Sequence, residues 1–258
     1  MFKKIFLFAG MALMSAQIVT AAELKQEMDV SVGVFDAAKV SLAYTEANGV
    51  FDITSKVLTQ NLFDTLYPFE GSYKSKGQIL TKGVKPEIYE TQSKTRSHIR
   101  GKTIFYDKSG KPYKRVSFKD KKQNTVRIDD VPETADAADL QSVFAELLIN
   151  FKKTGGCALK REVYDGKKHY NVIVADKGTY KRYFDFTGKE ERARKCQVYI
   201  ENLKENNDNI LWDVSADKPI NFWVGTEKKS KMPFILEIGI DSTPLGALKV
   251  LPRTLKTK

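Results

Sequence analysis

Residues 39–58 read KVSLAYTEANGVFDITSKVL, and this stretch decides the fold class. Two runs in which apolar and polar residues tend to alternate, Lys39–Thr45 and Val50–Leu58, flank Asn48-Gly49. Alternation sends successive side chains to opposite faces of a strand. Asn-Gly supplies the two positive-φ residues of a tight turn whose twist matches the strands it joins. The stretch therefore predicts an antiparallel hairpin.

The same punctuation recurs along the chain. Met28–Phe35 precedes the hairpin, and Gly71–Leu80, Pro86–Ser93, Arg96–Tyr106 and Tyr113–Phe118 follow it, with breaks at Lys82-Gly83 and Ser109-Gly110. Ala158–Tyr164 and His169–Ala175 flank a second hairpin turn, Asp165-Gly166. Tyr180–Phe186, Arg194–Asn202, Ile220–Val224, Phe234–Ile240 and Leu245–Val250 complete the set. Many short strands separated by turn dipeptides predict a mainly β, antiparallel domain.

One segment changes period. Leu140, Val143, Phe144, Leu147, Leu148 and Phe151 recur at helical spacing and form an apolar stripe. Asp136 or Asp139 can cap this amphipathic helix, and Gly155-Gly156 stops it. Such a stripe covers a sheet more often than it binds a partner. A shorter helical turn is expected over 59–66. The polar stretch 120–138 reads as a mobile loop, and Pro252–Lys258 as a basic tail that frays.

The first residues, MFKKIFLFAGMALMSAQIVTAAE, carry Lys3 and Lys4, an apolar core over Ile5–Ala16 and small residues before Glu23. This is the pattern of a signal peptide spanning residues 1–22, cleaved after Ala21 or Ala22. The apolar run is short for a membrane anchor, which needs about 20 residues. No later segment is long and apolar enough to cross a membrane as a helix. The absence of a cysteine after the cut disfavours a lipoprotein, and the absence of N-glycosylation sequons fits a bacterial periplasm. The mature chain, 23–258, is expected to be one periplasmic β-rich domain.

Cys157 and Cys196 are the two cysteines. In an oxidising compartment an even pair most simply forms one structural disulfide. A redox pair would favour a C-x-x-C spacing, which is absent.

The residues point away from enzymatic chemistry. His98 and His169 are the two histidines and stand in no metal-ligand spacing. No nucleophile elbow, phosphate loop or dinucleotide fingerprint occurs. No catalytic residue, metal or cofactor is predicted.

Charge is uneven. Residues 71–122 hold 15 Lys and Arg against Glu87, Glu90, Asp107 and Asp120. Within them Lys94, Arg96, His98, Arg100 and Lys102 fall on alternate positions, which on one strand would place all five on one face. Lys74, Lys76, Lys114, Arg115 and Lys119 could extend it. A row of like charges suits open water or an anionic partner. For an exported chain, phosphate-bearing lipids or acidic proteins are better partners than nucleic acid.

Aromatic residues cluster at Phe63, Tyr67, Phe69 and Tyr73, and again at Trp212, Phe222 and Trp223. They belong to a core or to a concave face holding a lipid chain. Around LYPFEGSYKSKG, residues 66–77, Pro68 ends a helix and Gly71 permits a bend. That stretch reads as a corner leading into the basic sheet, with Tyr67, Phe69 and Tyr73 as candidate ligand contacts.

The order of these motifs resembles a known family. TLYPFEGSYKSKG precedes K-P-E-x-Y at Lys85–Tyr89, then R-G-K at Arg100–Lys102. L-x-S-x-x-x-x-L-L follows at Leu140–Leu148, then G-G-C-x-L at Gly155–Leu159, Y-D-G-K-x-x-Y at Tyr164–Tyr170, and a second cysteine. This series is similar to the bacterial Domain of Unknown Function 3108 family, across roughly residues 30–250. Two features depart from it: Ala138-Asp139 stands where an Asp-Pro helix entry is expected, and the loop after Phe118 is lysine-rich. The resemblance implies a periplasmic, strongly curved antiparallel sheet or open β-barrel plugged by one helix, with Cys157–Cys196 as its disulfide. It brings no catalytic residues.

The expectation is thus a non-enzymatic periplasmic protein of envelope maintenance, binding a hydrophobic or lipid-like amphipathic ligand in a curved sheet. The alternative is an interaction module that docks its basic face on anionic envelope components or an acidic partner.

Overall fold

The computed structural model describes residues 21–120, 122–127, 136–203, 217–243 and 246–258. The apolar leader, Trp212 and much of the 120–138 stretch lie outside them. No helix among the described residues is long and apolar enough to cross a membrane.

The first half of the chain is a meander. It runs through β1 (Ala22–Val32), β2 (Phe35–Ala47), β3 (Val50–Thr59), α1 (Asn61–Leu66), β4 (Phe69–Ile79), β5 (Val84–Thr95), β6 (Ile99–Tyr106), β7 (Pro112–Lys119) and β8 (Lys122–Arg127). Then come α2 (Leu140–Thr154), β9 (Leu159–Tyr164), β10 (His169–Phe184), β11 (Lys189–Asn202), β12 (Ile220–Thr226), β13 (Pro233–Thr243) and β14 (Gly246–Thr257). Among the described residues, fourteen strands form one antiparallel sheet, in the order β8 to β1, then β14 to β9. The β1–β14 ladder joins the two meanders by pairing the ends of the chain, Leu24 opposite Thr257.

The decisive hairpin forms as expected. Asn48 and Gly49 both have positive φ, 52° and 74°, and Ala47 stands opposite Val50. The alternation then assigns the faces. Leu24, Leu42, Tyr44, Phe51, Ile53 and Ile104 all point inward and are buried. Gly77 is required on that inner surface, because a Cβ there would lie 2.2 Å from the Lys85 carbonyl oxygen.

Several expected boundaries change. The first strand starts at Ala22 rather than Met28, and Phe35 opens the second. His169–Ala175 and Tyr180–Phe186 are largely one strand, β10, because a bulge at Asp176–Thr179 absorbs Gly178 at φ 93°. Pro252–Lys258 does not fray: β14 runs to Thr257, and Lys258 and Glu23 exchange two backbone hydrogen bonds of 2.9 Å. Within the expected loop, Lys122–Arg127 pairs with β7 as a strand.

The sheet curls around α2. The edges β8 and β9 are not paired with each other, so the barrel is open. Opposite regions meet through side chains: Lys102 on β6 and Arg115 on β7 donate to the carbonyls of Asp165 and Gly166 in the β9–β10 turn. On β9, Arg161 donates to the Val84 carbonyl at 3.2 Å and faces Glu146 of α2 at 3.6 Å. Ahead of α2, Ala138 pairs with the free edge of β9, satisfying backbone groups an open edge would leave bare. The helix is enclosed more than one stripe would require: Ser142, Ala145, Glu146 and Ile149 are buried along with Val143, Leu147, Leu148 and Phe151.

Candidate functional site

Three features fix α2 inside the curl. At its start Asp139 is the N-cap, accepting from the Ser142 amide at 2.9 Å and the Ser142 hydroxyl at 2.6 Å. The Ser75 hydroxyl, on the inner face of β4, reaches the same carboxylate at 3.0 Å. At its end Gly155 adopts the left-handed conformation that closes a helix. Two residues on, Cys157 is disulfide-bonded to Cys196 of β11, so the expected disulfide is present.

Between these anchors lies a cavity of about 360 Å³. Leu140, Val143, Phe144 and Leu147 of α2 form its roof. Met28, Val40 and Leu42 of β1 and β2 form one wall, and Val172, Val174 and Val198 of β10 and β11 another. Ile220, Phe222, Ile235 and Ile238 of β12 and β13 form the floor. The polar side chains of the lining are Ser55 and Gln141, and the Ser55 hydroxyl donates to the Gln141 carbonyl at 2.9 Å. With those groups paired, the space presents almost only hydrocarbon. Leu140 and Phe144, expected to pack in the helix's apolar stripe, instead border this space, and Leu140 is 46% exposed. Larger surface hollows occur, but their linings are mixed: Lys189, Arg192, Arg194 and Glu227 stand beside Phe151, Phe186 and Phe234 in one, and Glu27, Asp29, Lys39 and Lys56 beside Val40 and Val57 in another. Their charged side chains hold water.

Beside the roof sits a buried polar cluster, of which the sequence singles out Asp139 as a possible helix cap but not its partners. Asp139 is fully buried, and burial raises its carboxyl pKa, opposed by the hydrogen bonds from Ser142 and Ser75. Tyr89 and Tyr106 lie nearby; burial, and then the Asp139 charge, push both phenols well above their ordinary value. Gln26 was also missed. Its side chain accepts from the Ile235 amide at 3.1 Å and donates to the Ile235 carbonyl at 2.5 Å, next to a β12–β13 bulge. A buried polar residue within an alternating run was the available signal for it.

The candidate anion-binding row is not one face of one strand. Thr95–His98 is the turn between β5 and β6, closed by the Thr95 amide on the His98 carbonyl at 2.8 Å. Lys94 opposes Ile99 at the end of β5, on the outer face. Arg96 donates to the Thr65 carbonyl of α1, and His98 pairs with Asp120 at 3.2 Å. Arg100 and Lys102 lie inward on β6, opposite Ser93 and Thr91. The alternation was real, but it ran through a turn. Of the other cations that could have extended the row, Arg115 and Lys119 join the inner face on β7, whereas Lys74 lies outward against Asp52 at 3.3 Å.

The candidate ligand contacts also separate. Tyr67 is 74% exposed after α1, while Phe69 and Tyr73 lie on the inner face, their rings flanking Gly71. None of the three lines the apolar cavity. Phe222 does, whereas Trp223 lies on the opposite face, packed between Tyr180 and Phe184 with Arg182 over its ring.

The family described as "Protein of unknown function (DUF3108)" matches residues 27–248. The chain belongs to the DUF3108 family. Among solved structures, this DUF3108 chain is similar to the crystal structure of a beta-barrel-like protein of domain of unknown function DUF1849 from Brucella abortus. The TM-score is 0.55 at 8% identity, over 92% of the DUF3108 chain and 98% of the other. At that identity the likeness is one of fold. No curated protein matches the sequence.

Proposed function

We propose that this protein is a non-enzymatic, exported periplasmic binder of a hydrophobic or amphipathic, lipid-like ligand, acting in maintenance of the cell envelope. The observation that carries the reading is the cavity between α2 and the inner face of the sheet. Its volume falls within the ~300–1,000 Å³ of ligand sites, its lining is apolar, and its two polar side chains bond to each other. The leader pattern of residues 1–22 supports export, and the disulfide suits an oxidising compartment.

Native mass spectrometry of protein isolated from its own cells tests the reading. A bound species that can be extracted into organic solvent is expected. Protein that is ligand-free from cells, and that takes up no alkyl probe when one is offered, would overturn it.

A further inference from the structure

Side chains directly opposite across an antiparallel ladder share a face, so the registers trace rows along the inner wall. From the cavity, the row through Ser55 continues to Tyr73 and Thr91, and the neighbouring row, through Val57, reaches Arg100 and Lys119. Lys119 stands opposite Lys122 of β8. Both rows leave the hydrocarbon under α2; the Ser55 row passes an aromatic ring and a hydroxyl to Lys102 and Ser117, and the Val57 row ends in cations.

The two faces of this part of the sheet differ in charge. Asp52, Glu70 and Glu90 occupy outward positions, where Asp52 pairs with Lys74. Along the two inner rows from β3 to β7 no carboxylate occurs. Lys102 and Arg115 are occupied by the Asp165 and Gly166 carbonyls. Arg100, Lys119 and Lys122 are exposed, and among the described residues they form no ion pair. Arg100 and Lys119 oppose each other directly, a like-charge pairing that costs stability unless an anion sits between them.

We infer that the ligand of the apolar cavity is a single-chain anionic amphiphile. Its alkyl chain lies under α2, and its anionic headgroup rests on Arg100, Lys119 and Lys122. The inference rests on the binding function proposed above and adds the class of ligand. The geometry suits one chain. Three strand spacings of ~4.8 Å separate β3 from β6, so Ser55 and the cationic wall are about 14 Å apart along the sheet, and Phe69 and Tyr73 cover the path. The headgroup is fixed by charge, in a solvated site where salt weakens the attraction.

Calorimetric titration of the purified protein at low salt tests this with tetradecanoate, tetradecanol and inorganic phosphate. Tetradecanoate is expected to bind at least about tenfold more tightly than tetradecanol. The double variant Arg100→Gln, Lys119→Gln should lose that preference while its tetradecanol affinity stays unchanged. The charge-preserving pair Arg100→Lys, Lys119→Arg should keep it. Equal binding of acid and alcohol would overturn the headgroup inference and leave the cavity reading standing. Binding of inorganic phosphate that the glutamine pair abolishes, without preference for the acid over the alcohol, would also overturn it, as an anion site unconnected to the cavity. If neither alkyl probe binds, the cavity reading fails and the inference falls with it.

Discussion

The Ser75 hydroxyl of β4 meets the Asp139 carboxylate at the start of α2 across 3.0 Å, in a site where both side chains are fully buried. One carboxylate thus caps the helix and binds it to the sheet. Asp139→Ala would remove the cap, worth about 1 kcal/mol, and would leave the Ser75 and Ser142 hydroxyls with each other, at 2.7 Å, and the Ile88 carbonyl, at 3.3 Å, as their partners. Chemical denaturation should show a loss of about 1–2 kcal/mol. A loss within about 0.5 kcal/mol, as at an ordinary surface position, would show that the cluster does not hold the helix.

The same residue sets a pH dependence. Burial raises the folded-state pKa of Asp139 above its ordinary value, so the unfolded chain gives up this proton first as pH rises. Stability contributed at this site is therefore highest below the ordinary carboxylate range and falls as pH climbs through the raised pKa. Asp139→Asn keeps the shape and an acceptor but does not titrate. Thermal melts of both proteins between acid and neutral pH should show the wild type losing ground to the variant as pH rises. A difference that moves in the wild type's favour contradicts the assignment.

The disulfide closes a 39-residue separation and ties the end of α2 to β11. On the loop-entropy account, losing it costs about 3–4 kcal/mol. The pair Cys157→Ala, Cys196→Ala should melt well below the wild type, and reductant should lower the melting temperature of the wild type but not of the variant. Free thiols in denatured, non-reduced wild-type protein would contradict the bond.

Much of this architecture was legible because burial acts on local patterns. Asn48-Gly49, Asp165-Gly166 and the two-residue alternation specify hairpins and faces without distant information. The helix stripe and Gly155 were legible for the same reason, although choosing Asp139 over Asp136 as the cap required the position of Ser75. What was not legible depends on pairing between distant segments. Nothing near Pro252 announces that its strand will lie against β1, since Leu24 and Thr257 are brought together by the whole curl. The basic row failed for a local reason: Thr95–His98 turns without glycine, proline or asparagine, so the charge alternation read straight through it. The cavity was hidden because its lining is shared among α2 and seven strands, each of which looks like ordinary core by itself. The charged ends of Arg100 and Lys119 became neighbours only when β6 and β7 were placed in register.

The most direct test fills the cavity. Val198 lines it from β11, partly buried at the margin of the core, so the larger ring of Val198→Trp can extend into the space. Tetradecanol, which carries no charge, should be titrated into wild type and variant, with melting temperatures measured alongside. The account predicts about one equivalent bound by the wild type, little or none by the variant, and similar melting temperatures. Equal uptake by the two folded proteins would place the alkyl chain elsewhere and contradict the account.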